Sequence, residues 1–106
     1  MMHLVDTVEV EPDHVQDYLA VVASMAFPVM TDAGASFVSC ATTSGEIGER
    51  VFVQVVWAFE DHVQWDEIRK NMVLDPRFHE YGTVARGLRV GGTRRFFTLQ
   101  ALTSSP

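Results

Sequence analysis

Residues Val51 to Tyr81, VFVQVVWAFEDHVQWDEIRKNMVLDPRFHEY, carry the reading that decides the fold. Val51 to Phe59 predicts a strand. Val51, Val53, Val55, Trp57 and Phe59 fall on one face; Phe52, Gln54, Val56 and Ala58 fall on the other. Neither face carries a charge, so both are expected to be covered. Asp61 then stands as the N-cap of a helix with Trp65, Ile68 and Met72 on its inner stripe. Asp75 caps a further short helix with Pro76 at its first position. Phe78, Tyr81, Ala85 and Leu88 line the inner face of that helix.

The first half of the chain repeats the pattern. His3 to Val10 alternates as a strand, with Leu4, Val8 and Val10 on one face and Asp6 among them. His3, Val5, Thr7 and Glu9 form the other face, and spacing alone leaves open which face meets the helices. Glu11-Pro12-Asp13 opens a helix, and apolar side chains follow at Val15, Tyr18, Leu19, Val22, Ala26, Val29 and Met30. Pro28 is expected to kink or end that helix around Phe27, and Gly34 to cap the segment in a left-handed conformation. Ala35 to Thr43 reads as a strand, and Ser44 to Gly48 as a turn. Gly91-Gly92 leads into a last strand from Arg94 to Leu102, before a loose tail from Thr103 to Pro106.

The order is β-α-β-β-α-β, the ferredoxin-like plan: an α+β fold with a four-stranded antiparallel sheet. Its 106 residues fit a single domain spanning 1–106. Helices on one face leave the other open, and here that face carries Phe52 and Val56. An exposed apolar face of that kind predicts a homodimer whose sheets meet face to face. Each subunit would keep one pocket between its sheet and its helices.

Composition narrows the function classes. The net charge is −6, and Arg86, Arg89, Arg94 and Arg95 are too few and too scattered to track phosphates, so nucleic acid is not an expected partner. The longest apolar run, Tyr18 to Met30, is broken by Ser24 and Pro28 and is too short to cross a bilayer. No signal peptide is apparent, so the expected location is the cytoplasm. The single cysteine, Cys40, suits a reducing compartment and reads as a small core residue. The four histidines lack paired ligand spacing, so no metal is expected; a barrel pocket with Trp57 and a histidine could hold haem, but no feature requires it, and the expected cofactor is none. There is no nucleophile elbow, and Gly91-Gly92 precedes a strand where a phosphate loop would precede a helix.

The N-terminal strand ending in Val10-Glu11-Pro12 and leading to Tyr18 resembles the NIPSNAP-like members of the dimeric α+β barrel superfamily. So does the aromatic-rich acidic turn Trp57-Ala58-Phe59-Glu60-Asp61. So does Arg69 followed by Leu74-Asp75-Pro76-Arg77-Phe78. The similarity runs from about His3 to Phe97, through short motifs. Asp6 stands where that family often has Arg, which removes any inherited anion-binding role for the strand. The resemblance implies a dimeric barrel with a small-molecule pocket. Its members include cofactor-free monooxygenases, polyketide cyclases, lactone isomerases and haem degraders. Asp75 occupies the position of a histidine found in some cyclases, so that histidine is not carried over.

Asp6 is the most pointed candidate for chemistry. A carboxylate between Leu4 and Val8 is costly to bury unless paired or protonated. It reads either as a general base or acid, or as an ion-pair partner of Arg94 or Arg95. His62, Trp65 and Arg69 share a helix edge at i, i+3 and i+7. They either present an imidazole, an indole and a guanidinium to a planar anion, or form a core Trp with two boundary polar residues. Tyr81 on the inner stripe would donate to an oxyanion, with Phe78 beside it. His79 points toward solvent and serves the pocket only if the helix end turns toward its mouth. His3 reaches the pocket from a strand end or sits in water; His14 is expected to be exposed.

The expected protein is thus a small dimeric enzyme that cyclises, isomerises or dehydrates an aromatic or polyketide-like metabolite by moving protons. Asp6 or His79 would transfer protons, and Tyr81 and Arg69 would steady an enolate. Trp57, Trp65, His62, His3 and Phe78 would hold the substrate. The rival readings are a cofactor-independent monooxygenase of a phenol or anthrone, and a non-catalytic ligand-binding or interaction module.

Overall fold

A computed structural model describes residues 1–44 and 48–102. The centre of the expected turn at 44–48 and the whole of the expected tail at 103–106 lie outside the described residues. Strand β1 (Met2–Val10) leads through a 3-10 turn (Pro12–His14) into α1 (Val15–Val21), a π-helical turn (Val22–Ala26) and α2 (Phe27–Ala33). Then come β2 (Ser36–Thr42), β3 (Val51–Phe59), α3 (His62–Leu74), α4 (Pro76–Leu88) and β4 (Arg89–Thr98). The sheet order is β2-β3-β1-β4, and every neighbouring pair is antiparallel. This is the expected ferredoxin-like α+β arrangement.

The register assigns the faces. Leu4 pairs with Trp57 and Val8 with Val53, so the even positions of β1 share a face with the odd positions of β3. That face meets the helices: Leu4, Val10, Val53 and Trp57 are buried there with Val29, Ile68, Met72 and Ala85. Burying each of the larger aliphatic side chains stabilises the fold by about 1.5–3 kcal/mol. The opposite face carries His3, Val5, Phe52, Gln54 and Phe97, and Phe52 and Phe97 are exposed.

The helix caps follow their sequence signals. The Asp61 carboxylate accepts from the Gln64 amide at 2.9 Å, and that of Asp75 from the Arg77 amide at 2.9 Å. Arg77 also forks onto Asp75 and reaches Asp32 at 2.9 Å, tying the start of α4 to the end of α2. Gly34, at φ +116, turns the chain out of α2. Its amide donates to the Thr31 carbonyl, and the Ala35 amide to that of Met30.

Four expectations need correction. The first helical region does not end at Phe27. The π turn before Pro28 widens the ladder, with the Phe27 amide reaching the Val22 carbonyl, and Pro28 then opens α2, where a missing amide hydrogen is tolerated. The helix after Asp75 is not short: at 13 residues it equals α3. The last strand begins at Arg89, so Gly91 and Gly92 pair within it, opposite Glu9 and Val8. A Cβ on Gly92 would lie 2.9 Å from Val8 Cγ1, so the glycine permits a close strand approach. Cys40 is not in the core; it is exposed on the edge strand β2, where partial burial pushes its thiol pKa up.

Candidate functional site

The β1–β4 register places Arg94 opposite Asp6. Arg94 Nε donates to Asp6 Oδ1 at 2.8 Å and Nη2 to Oδ2 at 3.2 Å, a two-pronged pair. The guanidinium also lies over Trp65, 5.9 Å from the ring centroid. Trp65 is itself wedged against Phe59 and Phe96, with centroids 5.5 and 5.2 Å away. Arg94 is therefore held between a carboxylate and an indole, and a flexible side chain becomes a positioned one.

Helix α4 supplies the facing wall. Phe78, Tyr81 and Ala85 recur at helical spacing and turn toward the sheet, as its pattern predicts. Tyr18 comes across from α1 and is buried, with its phenol beside that of Tyr81. Burial, then the contact with Tyr81, pushes the Tyr18 phenol well above the usual range, while the nearby charge of Arg89 pulls the other way.

Between these walls lies a cleft of about 460 Å³, bounded by Asp6 and Arg94 on one side and Tyr18, Phe78 and Tyr81 on the other. Its size suits a small organic ligand. Arg86, Arg89, His79 and Thr83 lie around it, with Gly92 and Thr93 of β4. A second chamber of about 30 Å³ adjoins it, walled by Ala26, Val29, Met30, Trp57 and Met72. Asp6, Phe78, Tyr81 and Arg94 border both spaces and so form the partition between them.

Of the residues singled out from sequence, Asp6, Phe78, His79 and Tyr81 come together at the cleft. His79 is exposed, and its Nε2 lies 3.0 Å from the Val73 carbonyl oxygen. Trp57 borders only the small inner chamber and packs against Phe27 and Phe37, at centroid distances of 6.1 and 5.6 Å. Trp65 stands behind Arg94 and does not line the cleft. Three residues are elsewhere. His3 pairs with Ala58 and Phe97 and belongs to the opposite sheet face. His62 is exposed on α3, and exposed Arg69 approaches Asp66 at 4.0 Å beside a shallow groove with Lys70, Val73 and Leu74. Helical geometry explains this: His62 and Arg69 lie roughly 70–90° round the helix from the stripe that packs on the sheet.

Sequence reasoning missed Tyr18, Arg86 and Arg89. Tyr18 read as one more apolar stripe residue, although a buried phenol needs a partner, and that need was the available signal. Arg86 and Arg89 were discounted as too scattered for a phosphate track, and only the turn from α4 into β4 brings them to one cleft. Among the described residues, no group of three or more His, Cys, Asp or Glu side chains is placed to hold a metal ion. No helix of the described residues is long and apolar enough to cross a membrane.

A four-stranded antiparallel sheet, with helices on one face and a cleft beneath them, is the α+β fold of NIPSNAP domain proteins and of cofactor-independent oxygenases. Solved structures share it. An uncharacterized NIPSNAP domain protein from Burkholderia xenovorans superposes with a TM-score of 0.79 at 16% identity, over 99% of this chain and 100% of that one. SnoaB, a cofactor-independent oxygenase from Streptomyces nogalater, gives 0.62 at 19% identity, over 98% and 97% of the two chains. A monooxygenase from the ActVA-Orf6 gene of Streptomyces coelicolor, solved with the ligand nanaomycin D, gives 0.63 at 18% identity, over 99% and 92%. No protein-family model matches the chain, and no curated protein matches it significantly in sequence. Likeness at these identities speaks for the fold.

Proposed function

We propose that the cleft binds an aromatic or polyketide-like compound with an acidic C–H or O–H group and moves a proton on it. One observation carries this reading: Asp6, Arg94 and Tyr81 meet on the partition between the cleft and its inner chamber. A carboxylate can accept a proton, and a guanidinium and a phenol can donate to the oxygen that becomes negative. For a ketone, Asp6 takes the α-proton, and the C–H electron pair moves onto the carbonyl oxygen as an enolate. Arg94 and Tyr81 hydrogen-bond that oxygen. Return of the proton at another atom isomerises the compound. Attack of the enolate carbon on a second carbonyl closes a ring, and loss of hydroxide from the adduct, with a proton, is the dehydration. Arg69, placed on the far side of α3, has no part in this scheme; Arg94 takes the role expected of it.

The test is exchange of the acidic protons of anthrone in anaerobic deuterium oxide, followed by NMR. The wild-type protein should accelerate exchange. Asp6→Asn should lower that acceleration about 10²–10⁴-fold, the usual range for a general base, and Tyr81→Phe should lower it less. Binding without acceleration would leave a ligand-binding module in place of an enzyme.

A second reading draws support from the solved oxygenases that share the fold. The same enolate or phenolate could pass electrons to dioxygen, converting an activated CH₂ to a carbonyl and releasing water. Oxygen uptake in aerated solution, one dioxygen per ketone formed, separates this from proton chemistry alone.

The working unit in this reading is a homodimer closed through the open sheet face, where Phe52 and Phe97 stand exposed. The lone exposed Cys40 suits a reducing cytoplasm.

A further inference from the structure

The charge around the cleft runs against that of the chain. The protein carries a net charge of −6, yet the cleft is bordered by three arginines and a single carboxylate. Arg94 pairs with that carboxylate, Asp6, through Nε and Nη2. Arg86 and Arg89 form no ion pair among the described residues. Elsewhere Arg50 pairs with Glu9 and Glu11, Arg69 with Asp66, and Arg77 with Asp32 and Asp75, while Arg95, outside the cleft, shows no ion pair among the described residues. Arg86, in the last turn of α4, also offsets the negative end of that helix. Arg89 lies beyond the helix end, and its charge acts on the Tyr18 phenol inside the cleft. Two guanidiniums without an ion pair among the described residues therefore border a cleft that Phe78 and Tyr81 also line, beside a small inner chamber.

We infer that the ligand of this cleft is amphipathic: an aromatic body against Phe78 and Tyr81, and a carboxylate held by Arg86 and Arg89. This rests on the reading of the cleft as a small-molecule site and adds the chemical class of the ligand. Guanidinium forks match a carboxylate in geometry. The acidic surface elsewhere repels such an anion, so the arginines also direct it to this opening.

The test uses two fluorescent probes with nearly the same aromatic frame. One, 1-anilinonaphthalene-8-sulfonate, is an anion; the other, N-phenyl-1-naphthylamine, is neutral. Both are titrated into the full chain. The anion should bind about tenfold more tightly than the neutral probe, and Arg86→Gln/Arg89→Gln should erase that margin while leaving the neutral probe within about twofold. Arg86→Lys/Arg89→Lys should restore part of the margin, which guards against misreading a fold defect. Gly82→Phe, which puts a ring on the cleft wall, should weaken both probes. Equal affinities in the wild type, or an anion affinity that the glutamine pair leaves unchanged, overturns the inference and leaves the cleft standing. Indifference of both probes to Gly82→Phe overturns the cleft reading and the inference together.

Discussion

Arg94 meets Asp6 across the β1–β4 ladder through two hydrogen bonds, of 2.8 and 3.2 Å, and lies at the same time over the ring of Trp65. The pair answers the difficulty posed by a carboxylate on the helix-facing side of a strand. The neighbouring strand neutralises it, and the indole limits where the guanidinium can go.

The Asp6–Arg94 pair should show measurable coupling. Both side chains keep solvent contact, at 24% and 45% exposure, so screening reduces the attraction. A double-mutant cycle of Asp6→Asn and Arg94→Gln, read by urea unfolding, should give a coupling of about 1 kcal/mol. Asp6→Asn should also alter Trp65 fluorescence, because the guanidinium above the ring loses its anchor. Additive single effects, with unchanged emission, would show that the pair is not formed in solution.

Gly34→Ala should destabilise the protein by about 1–2 kcal/mol in urea unfolding. The cost is conformational, since φ is +116 while the added methyl would meet Ile68 Cγ1 at an ordinary 3.6 Å. A neutral substitution would mean the cap relaxes to negative φ.

Ile68→Ala should cost about 2–5 kcal/mol, because Ile68 is fully buried where α3 packs on the sheet. His62→Ala on the exposed edge of the same helix should stay within about 0.5 kcal/mol. Equal losses at the two positions would put the helix in a different rotation.

Stability should fall as the solution becomes alkaline. The ordinary tyrosine pKa is 10.0, and the folded chain holds Tyr18 above it. From about pH 10 upward the unfolded chain releases that proton while the folded chain keeps it, so each pH step favours unfolding. The urea midpoint should be level below that pH and decline above it. In Tyr18→Phe the decline should be shallower. An unchanged slope in the variant would place the alkaline sensitivity in another group.

Phe52→Lys should weaken self-association if the open sheet face is the dimer contact. Sedimentation velocity at micromolar concentration should show a dimer for the wild type and a monomer for the variant. A wild-type monomer would remove the dimer from the proposed function.

Much of this was legible in the chain because it depends on local pattern. Alternation in Val51–Phe59, the Asp61 and Asp75 caps, Gly34 and the 3.6-residue stripe of α4 each encode an element within a few residues of sequence. Those elements, in their order, sufficed for the ferredoxin-like plan, and Phe78 and Tyr81 could be marked as inward-facing from spacing, whereas the side on which Asp6 faces waited for the strand register. The bounds of β4 failed because Gly91-Gly92 has the local signature of a turn, whereas its place beside Val8 makes the glycines a packing requirement. Pro28 disturbs the helix without ending it: a π turn just before it accommodates what a regular helix would not.

The sequence by itself determined the elements, their order and the inward stripes of the helices, since these follow from steric preferences and hydrophobic periods of two and 3.6 residues. Only the tertiary structure decided that Asp6 faces Arg94, that Tyr18 reaches Tyr81, that Arg86 and Arg89 border one cleft, and that His3, His62 and Arg69 do not. Those placements depend on strand register and on how each helix is rotated against the sheet. Both are fixed by contacts between residues far apart in the chain, and a one-dimensional pattern carries no record of such distances.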